Sequence, residues 1–184
     1  MKRLVLTEQC RFSRNVFSGN LLQVYRDEVT LPDGRDGSRE YIVHPGAVVV
    51  IPWLAEKRLI MERQYRYPVK QEFLELPAGK LTYGEDPLLA VQRELLEETG
   101  YTAAHWRRLG RIHPCIGYAN EEMILYMAWD LTLTHPDWDE DELLEVIEMP
   151  LDAALDGIRT GLITDAKTVI GLFWADKWTR GEWE

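Results

Sequence analysis

The sequence predicts an α/β protein, with a main domain over residues 44–184 that mixes strands and helices and a small β-rich unit over residues 1–43. Three stretches carry this expectation. The run 46–52, GAVVVIP, is continuously apolar, as a strand buried on both faces requires. Residues 87–99 repeat apolar side chains at helical spacing between Asp86, a capping residue, and Gly100, a stop. Near the start, Pro32-Asp33-Gly34 followed by Asp36-Gly37 is turn chemistry between two strand-like segments. A chain of 184 residues at 46% hydrophobic composition can fill one core and carry an appendage.

In chain order, 21–31 reads as a strand with imperfect alternation and 39–43 as a second, shorter one. A lone two-stranded hairpin is marginal in water, so this unit must pack on its own main domain or on another subunit. The main domain then runs through strand 46–52, strand 58–64 and the segment 72–79, EFLELPAG, into the helix. Pro87 suits the first helical position, and Leu88, Val91 and Leu95, with Leu89 and Leu96 beside them, form the apolar stripe. Segments 106–113, 123–133 and 143–149 have strand composition. A short helix over 151–159 is weakened by Gly157, and a longer one over about 165–178, capped by Thr164 or Asp165, places Val169, Ile170, Phe173 and Trp174 on its apolar side. The seven tryptophans read as packing residues, and His44, His105, His113 and His135 form no ligand spacing.

A net charge of −10 disfavours non-specific binding to nucleic acid, which needs basic patches to neutralise phosphates. Cys10 and Cys115 match neither a disulfide framework nor a zinc spacing, so a reducing cytoplasm is expected. The opening MKRLVLTEQC is too short in apolar residues for a signal peptide, and no stretch approaches membrane-spanning length, so no membrane partner is expected.

On the predicted helix Glu94, Glu97 and Glu98 stand at i, i+3 and i+4, three carboxylates within one turn of each other. That spacing alone favours a solvated acidic face with an Arg93–Glu97 ion pair, and the alternative is a site where Mg²⁺ neutralises the repulsion. The preceding loop separates the two. The pattern G-x5-E-x7-R-E-U-x-E-E-x-G-U, with U apolar, is met at Gly79, Glu85, Arg93, Glu94, Leu95, Glu97, Glu98 and Gly100, with Tyr101 in the last apolar place. Chance agreement is on the order of one in a billion per starting position. The segment resembles the signature of the Nudix hydrolases, which cleave a nucleoside diphosphate linked to another moiety.

The resemblance implies an α/β/α sandwich with a mixed sheet. It implies divalent-cation binding (Mg²⁺, or Mn²⁺) by Glu94, Glu97, Glu98 and the carbonyl of Ala78, with Gly79, Glu85, Arg93 and Gly100 supporting the loop and helix. The run RQYRYPV before ELPAG is similar to the ADP-ribose pyrophosphatase branch, which implies a substrate contact for Arg66; the residues alone leave Arg63 and Arg66 open as edge-strand charges. Arg39 roughly matches a second substrate-binding arginine. In the loop 114–121, Gly117 and Glu121 match a glycine-x-x-x-glutamate element beside the terminal ribose, although Ile116 stands where better-known members have proline. Cys115 in that loop reads as a small packing side chain rather than a nucleophile. The acidic stretch 135–142 reads alone as a surface loop; by resemblance it carries a glutamate that activates the attacking water or adds a metal contact, for which Glu140 and Glu142 are the positional matches.

The resemblance thus implies Mg²⁺-dependent hydrolysis of ADP-ribose, or of a close nucleoside diphosphate sugar, to AMP and ribose 5-phosphate, by a homodimer that exchanges its N-terminal sheets. GDP-mannose and dinucleoside polyphosphates stay open as substrates of the same box. A non-hydrolysing sensor of ADP-ribose-like ligands would need a damaged box, and every acidic position is present.

Overall fold

The computed structural model describes residues 4–134 and 143–183. These divide into two compact units, one taking in residues up to Pro45 together with Cys115–Glu121, the other Gly46–Pro114 and residues from Glu122 onward.

The first unit is a three-stranded antiparallel sheet in the order β1 (Gln9–Ser18), β2 (Gln23–Thr30), β3 (Asp36–Val43). The expected pair corresponds to β2 and β3, and β1 is an addition. β1 carries no burial alternation because every one of its residues is exposed. Two register shifts against β2, at Cys10/Phe12 and Asn15/Phe17, further break its period, so backbone pairing rather than a buried face holds the strand. The segment Cys115–Glu121 joins this unit through Ile42, whose N–H donates to the Tyr118 carbonyl at 2.8 Å and whose carbonyl accepts from Asn120 N–H at 3.2 Å.

The second unit is a seven-stranded mixed sheet whose main path is β10 (Leu144–Pro150), β5 (Arg58–Arg66), β4 (Ala47–Leu54), β9 (Met123–Leu133), β8 (Tyr101–Ile112). β6 (Gln71–Glu75) pairs with β5, and β7 (Ala78–Lys80) with β4. β4 and β9 run parallel at the centre. The first six residues of β4 are all buried, as its unbroken apolar run requires. Its alternate side chains serve two cores. Val48 and Val50 pack with Ala90, Val91 and Leu95 of α1 (Pro87–Thr99), whereas Val49 and Ile51 pack with residues from α2 (Leu151–Thr160) and α3 (Ala166–Thr179). This is the expected α/β/α sandwich.

β8 starts five residues before the expected 106, immediately after Gly100 closes α1 in the left-handed region at φ 74°. The buried face of α3 also differs from the expected one. Lys167, Thr168, Gly171, Leu172 and Ala175 are buried, while Phe173 is 49% exposed and Val169, Ile170 and Trp174 only partly covered. Gly171 marks the closest approach of this face: a Cβ there would sit 2.5 Å from Leu76 Cδ1. A larger side chain has no room at position 171. Among the described residues no helix is long and apolar enough to cross a membrane.

Candidate active site

The site is built on α1 and the loop that leads into it. Asp86 caps the helix by accepting from the N–H groups of Leu88 and Leu89 at 2.8 and 3.3 Å, and Pro87 fills the first position, where no donor is needed. The buried face of α1 then includes two carboxylates among its apolar residues: Glu94 is 9% exposed and Glu98 4%. This excludes a solvated acidic face for these two. Buried carboxylates need hydrogen bonds or countercharges to stay ionised. Glu98 Oε2 accepts the N–H of Ala78 at 2.9 Å, which ties the helix to β7. Glu94 lies against Gly79, where a Cβ would fall 1.9 Å from the Glu94 Cδ, so only glycine leaves room for that carboxylate.

Arg93 gathers the remaining charges. Its Nη1 contacts Glu97 Oε2 at 2.7 Å and Glu94 Oε1 at 2.8 Å, and its Nε lies 3.4 Å from Glu85 Oε1. Partial burial works against the arginine's charge, but the Glu97 hydrogen bond and the field of Glu94 outweigh it and raise the pKa. Glu85 Oε2 accepts from Thr82 N–H at 2.8 Å. That bond, with Arg93 helping, holds the Glu85 carboxyl below its ordinary value. Glu85 and Arg93 therefore brace the loop against the helix, while the Arg93–Glu97 ion pair of the surface-face reading also forms. Among the described residues no three His, Cys, Asp or Glu side chains converge on a single point. The donor set nevertheless suits a hard cation: carboxylate oxygens from one helical turn, beside a glycine that keeps the space at Glu94 open. Glu97 would have to exchange Arg93 for the ion.

Residues 43–169 match the family model described as NUDIX domain. The chain belongs to the NUDIX domain family. Residues 8–42 match the nucleoside diphosphate sugar hydrolase N-terminal domain. An ADP-ribose pyrophosphatase from Bacillus subtilis is 37% identical over 91% of this chain and 91% of its own length. A methanol dehydrogenase activator from Bacillus methanolicus is 40% identical over 93% of this chain and 90% of its own. A crystal structure of an ADP compounds hydrolase superimposes with a TM-score of 0.87 at 25% identity, covering 99% of this chain and 98% of that one. The protein is a Nudix hydrolase.

The structure distributes the other expected site residues of this Nudix protein as follows. Arg66 ends β5 in the same unit as the box, with Nε and Nη2 bound to Glu75 at 2.7 and 2.8 Å. Arg39 and Glu121 belong to the N-terminal unit, where Arg39 pairs with Glu8 and Glu121 lies 3.7 Å from His44 Nδ1. A Cβ on Gly117 would meet nothing within 4 Å, so no close neighbour demands glycine there. Cys115 is half-buried and accepts a hydrogen bond from the Tyr118 hydroxyl at 3.0 Å. Glu140 and Glu142 lie outside the described residues. Sequence reasoning passed over two residues beside Arg66: Glu75, which is 2% exposed, and Lys167, which is 6% exposed. A charged residue at an inward position of a strand or helix is a weak signal in one dimension, because either face can be the buried one.

Proposed function

We propose that this Nudix hydrolase cleaves the diphosphate of ADP-ribose, or of a close nucleoside diphosphate sugar, to AMP and ribose 5-phosphate. The observation that carries this reading is the pair of buried carboxylates, Glu94 and Glu98, held against the Ala78–Gly79 backbone in the same unit as Arg66. The similarity to ADP-ribose pyrophosphatase over most of the chain supports the choice of substrate. Glu94, Glu97, Glu98 and the Ala78 carbonyl would hold Mg²⁺ or Mn²⁺, which when bound screens the diphosphate and lowers the pKa of a coordinated water. Arg66 supplies a positive group for the phosphates or a contact for the adenine of the substrate. Glu140 or Glu142 takes the proton of the attacking water.

A second copy of the chain is the expected partner. β1 is exposed along its whole length and presents Phe12, Val16 and Phe17 at 55%, 47% and 55% exposure, which favours cover by another subunit. Free Cys10 and Cys115 fit a reducing cytoplasm.

The test is a panel of ADP-ribose, GDP-mannose, NADH and diadenosine polyphosphates, assayed with Mg²⁺ and with chelator. The expected outcome is the highest kcat/KM for ADP-ribose and no turnover under chelation. Preference for another diphosphate would keep the box chemistry and overturn the substrate assignment, and binding of ADP-ribose without turnover would make the protein a sensor.

A further inference from the structure

Beside Arg66, four charged side chains drawn from three parts of the sheet unit form one continuous chain of contacts. Arg66 Nε and Nη2 donate to Glu75 Oε1 and Oε2 at 2.7 and 2.8 Å, a bidentate fork at the junction of β5 and β6. Lys167 Nζ, in the first turn of α3, also donates to Glu75 Oε2 and lies 3.0 Å from Asp165 Oδ2. Asp165 Oδ2 in turn accepts from Thr168 N–H at 3.0 Å and from its hydroxyl at 2.6 Å. Thr168 Oγ1 accepts from the N–H of Leu76, the residue after Glu75, at 2.9 Å, and so closes the circuit. The side chains of Glu75 and Lys167 are 3% and 7% exposed, whereas that of Arg66 is 40% exposed.

Stability alone is a poor account of this arrangement, because buried ion pairs are often no better than apolar packing of the same volume. Geometry supplies a better one. Glu75 is held on two sides, by the buried Lys167 and by the more open Arg66, while Asp165 holds the Lys167 ammonium in turn. Without Lys167, Glu75 would lose the contact that fixes it from the inside. With Lys167 in place, Glu75 fixes the guanidinium through Nε and Nη2, and Nη1 stays outside the fork.

We propose that Lys167 is a positioning residue for substrate binding: by holding Glu75 from the buried side, it fixes the carboxylate that orients the Arg66 guanidinium and so presents Nη1 to the substrate's phosphates. The inference rests on the reading of Arg66 as a phosphate contact.

The test is a double-mutant cycle on the full-length enzyme with ADP-ribose and Mg²⁺, comparing Lys167→Met, Arg66→Ala and the double variant, each checked for a cooperative thermal transition. Lys167→Met is expected to raise KM about tenfold, the scale of one charge-assisted hydrogen bond, with kcat changed less than about twofold. In the Arg66→Ala background the same substitution should leave KM unaltered, because the group it acts through is gone. Lys167→Arg, which keeps the charge, should recover most of the affinity. Should Lys167→Met not fold, Lys167→Gln carries the same cycle. If Arg66→Ala itself leaves KM unchanged, the substrate role of Arg66 fails and the proposal with it. If Arg66→Ala raises KM but the effect of Lys167→Met is absent, or persists undiminished in the double variant, the positioning role alone is overturned.

Discussion

Gly79 and Glu98 show why two single residues matter more to this site than to the fold. The Cβ of an alanine at 79 would collide with the Glu94 carboxyl, which is the far end of a flexible side chain and can swing away. Gly79→Ala should therefore lower the midpoint of thermal unfolding by only a few degrees, while the affinity for Mn²⁺, followed by titration, falls on the order of 10- to 100-fold. Glu98 is buried and bound to the Ala78 N–H, so an isosteric amide keeps the side chain's volume but not its charge. Glu98→Gln is expected to reduce kcat for ADP-ribose by several powers of ten with an unchanged circular dichroism spectrum. A fully active variant would remove Glu98 from the proposed metal site.

At the scale of elements, the contact between α3 and the β6–β7 segment carries both packing and charge. Burial opposes the ionised forms of Glu75 and Asp165, yet contacts with Arg66 and Lys167 at Glu75, and with Lys167 and Thr168 at Asp165, outweigh it and hold both carboxyls below their ordinary values of 4.5 and 3.8. A depressed carboxylate pKa contributes stability that is complete above the ordinary value and is lost as pH falls through the folded one. Urea midpoints measured from pH 7 downward should therefore hold until about pH 5 and then drop steeply. In Glu75→Gln the protein should be less stable at pH 7 by on the order of 3 kcal/mol, and the acid decline should be shallower because one of the titrating groups is gone. An unchanged acid slope would show that Glu75 does not bind a proton differently in the folded and unfolded states.

For the molecule as a whole, a net charge of −10 repels an anionic diphosphate, so binding depends on cations placed one by one rather than on a basic surface. The N-terminal sheet poses the other whole-molecule question. β1 has no buried position, and a strand with three exposed bulky apolar side chains is costly to leave in water. Light scattering after gel filtration should give a mass near twice 21.4 kDa. Deleting residues up to Ser18 should expose the edge of β2 and lead to dissociation or aggregation. A monomeric full-length protein would overturn the proposed pairing.

The sequence by itself determined the helix and loop of the box almost to the residue, because the cap Asp86, Pro87, the apolar stripe and the stop at Gly100 are local signals that require no neighbour. It also determined the doubly buried β4, since an unbroken apolar run has no solvent-facing alternative. Three features needed tertiary structure. β1 forms by pairing with β2 and leaves no periodic trace, the inward face of α3 is set by the closeness of Leu76 to Gly171, and the chain of contacts from Arg66 through Glu75 to Lys167 joins β5 to α3, far apart in sequence. Burial and charge pairing are properties of two surfaces brought together, and neither surface alone records which partner it will meet.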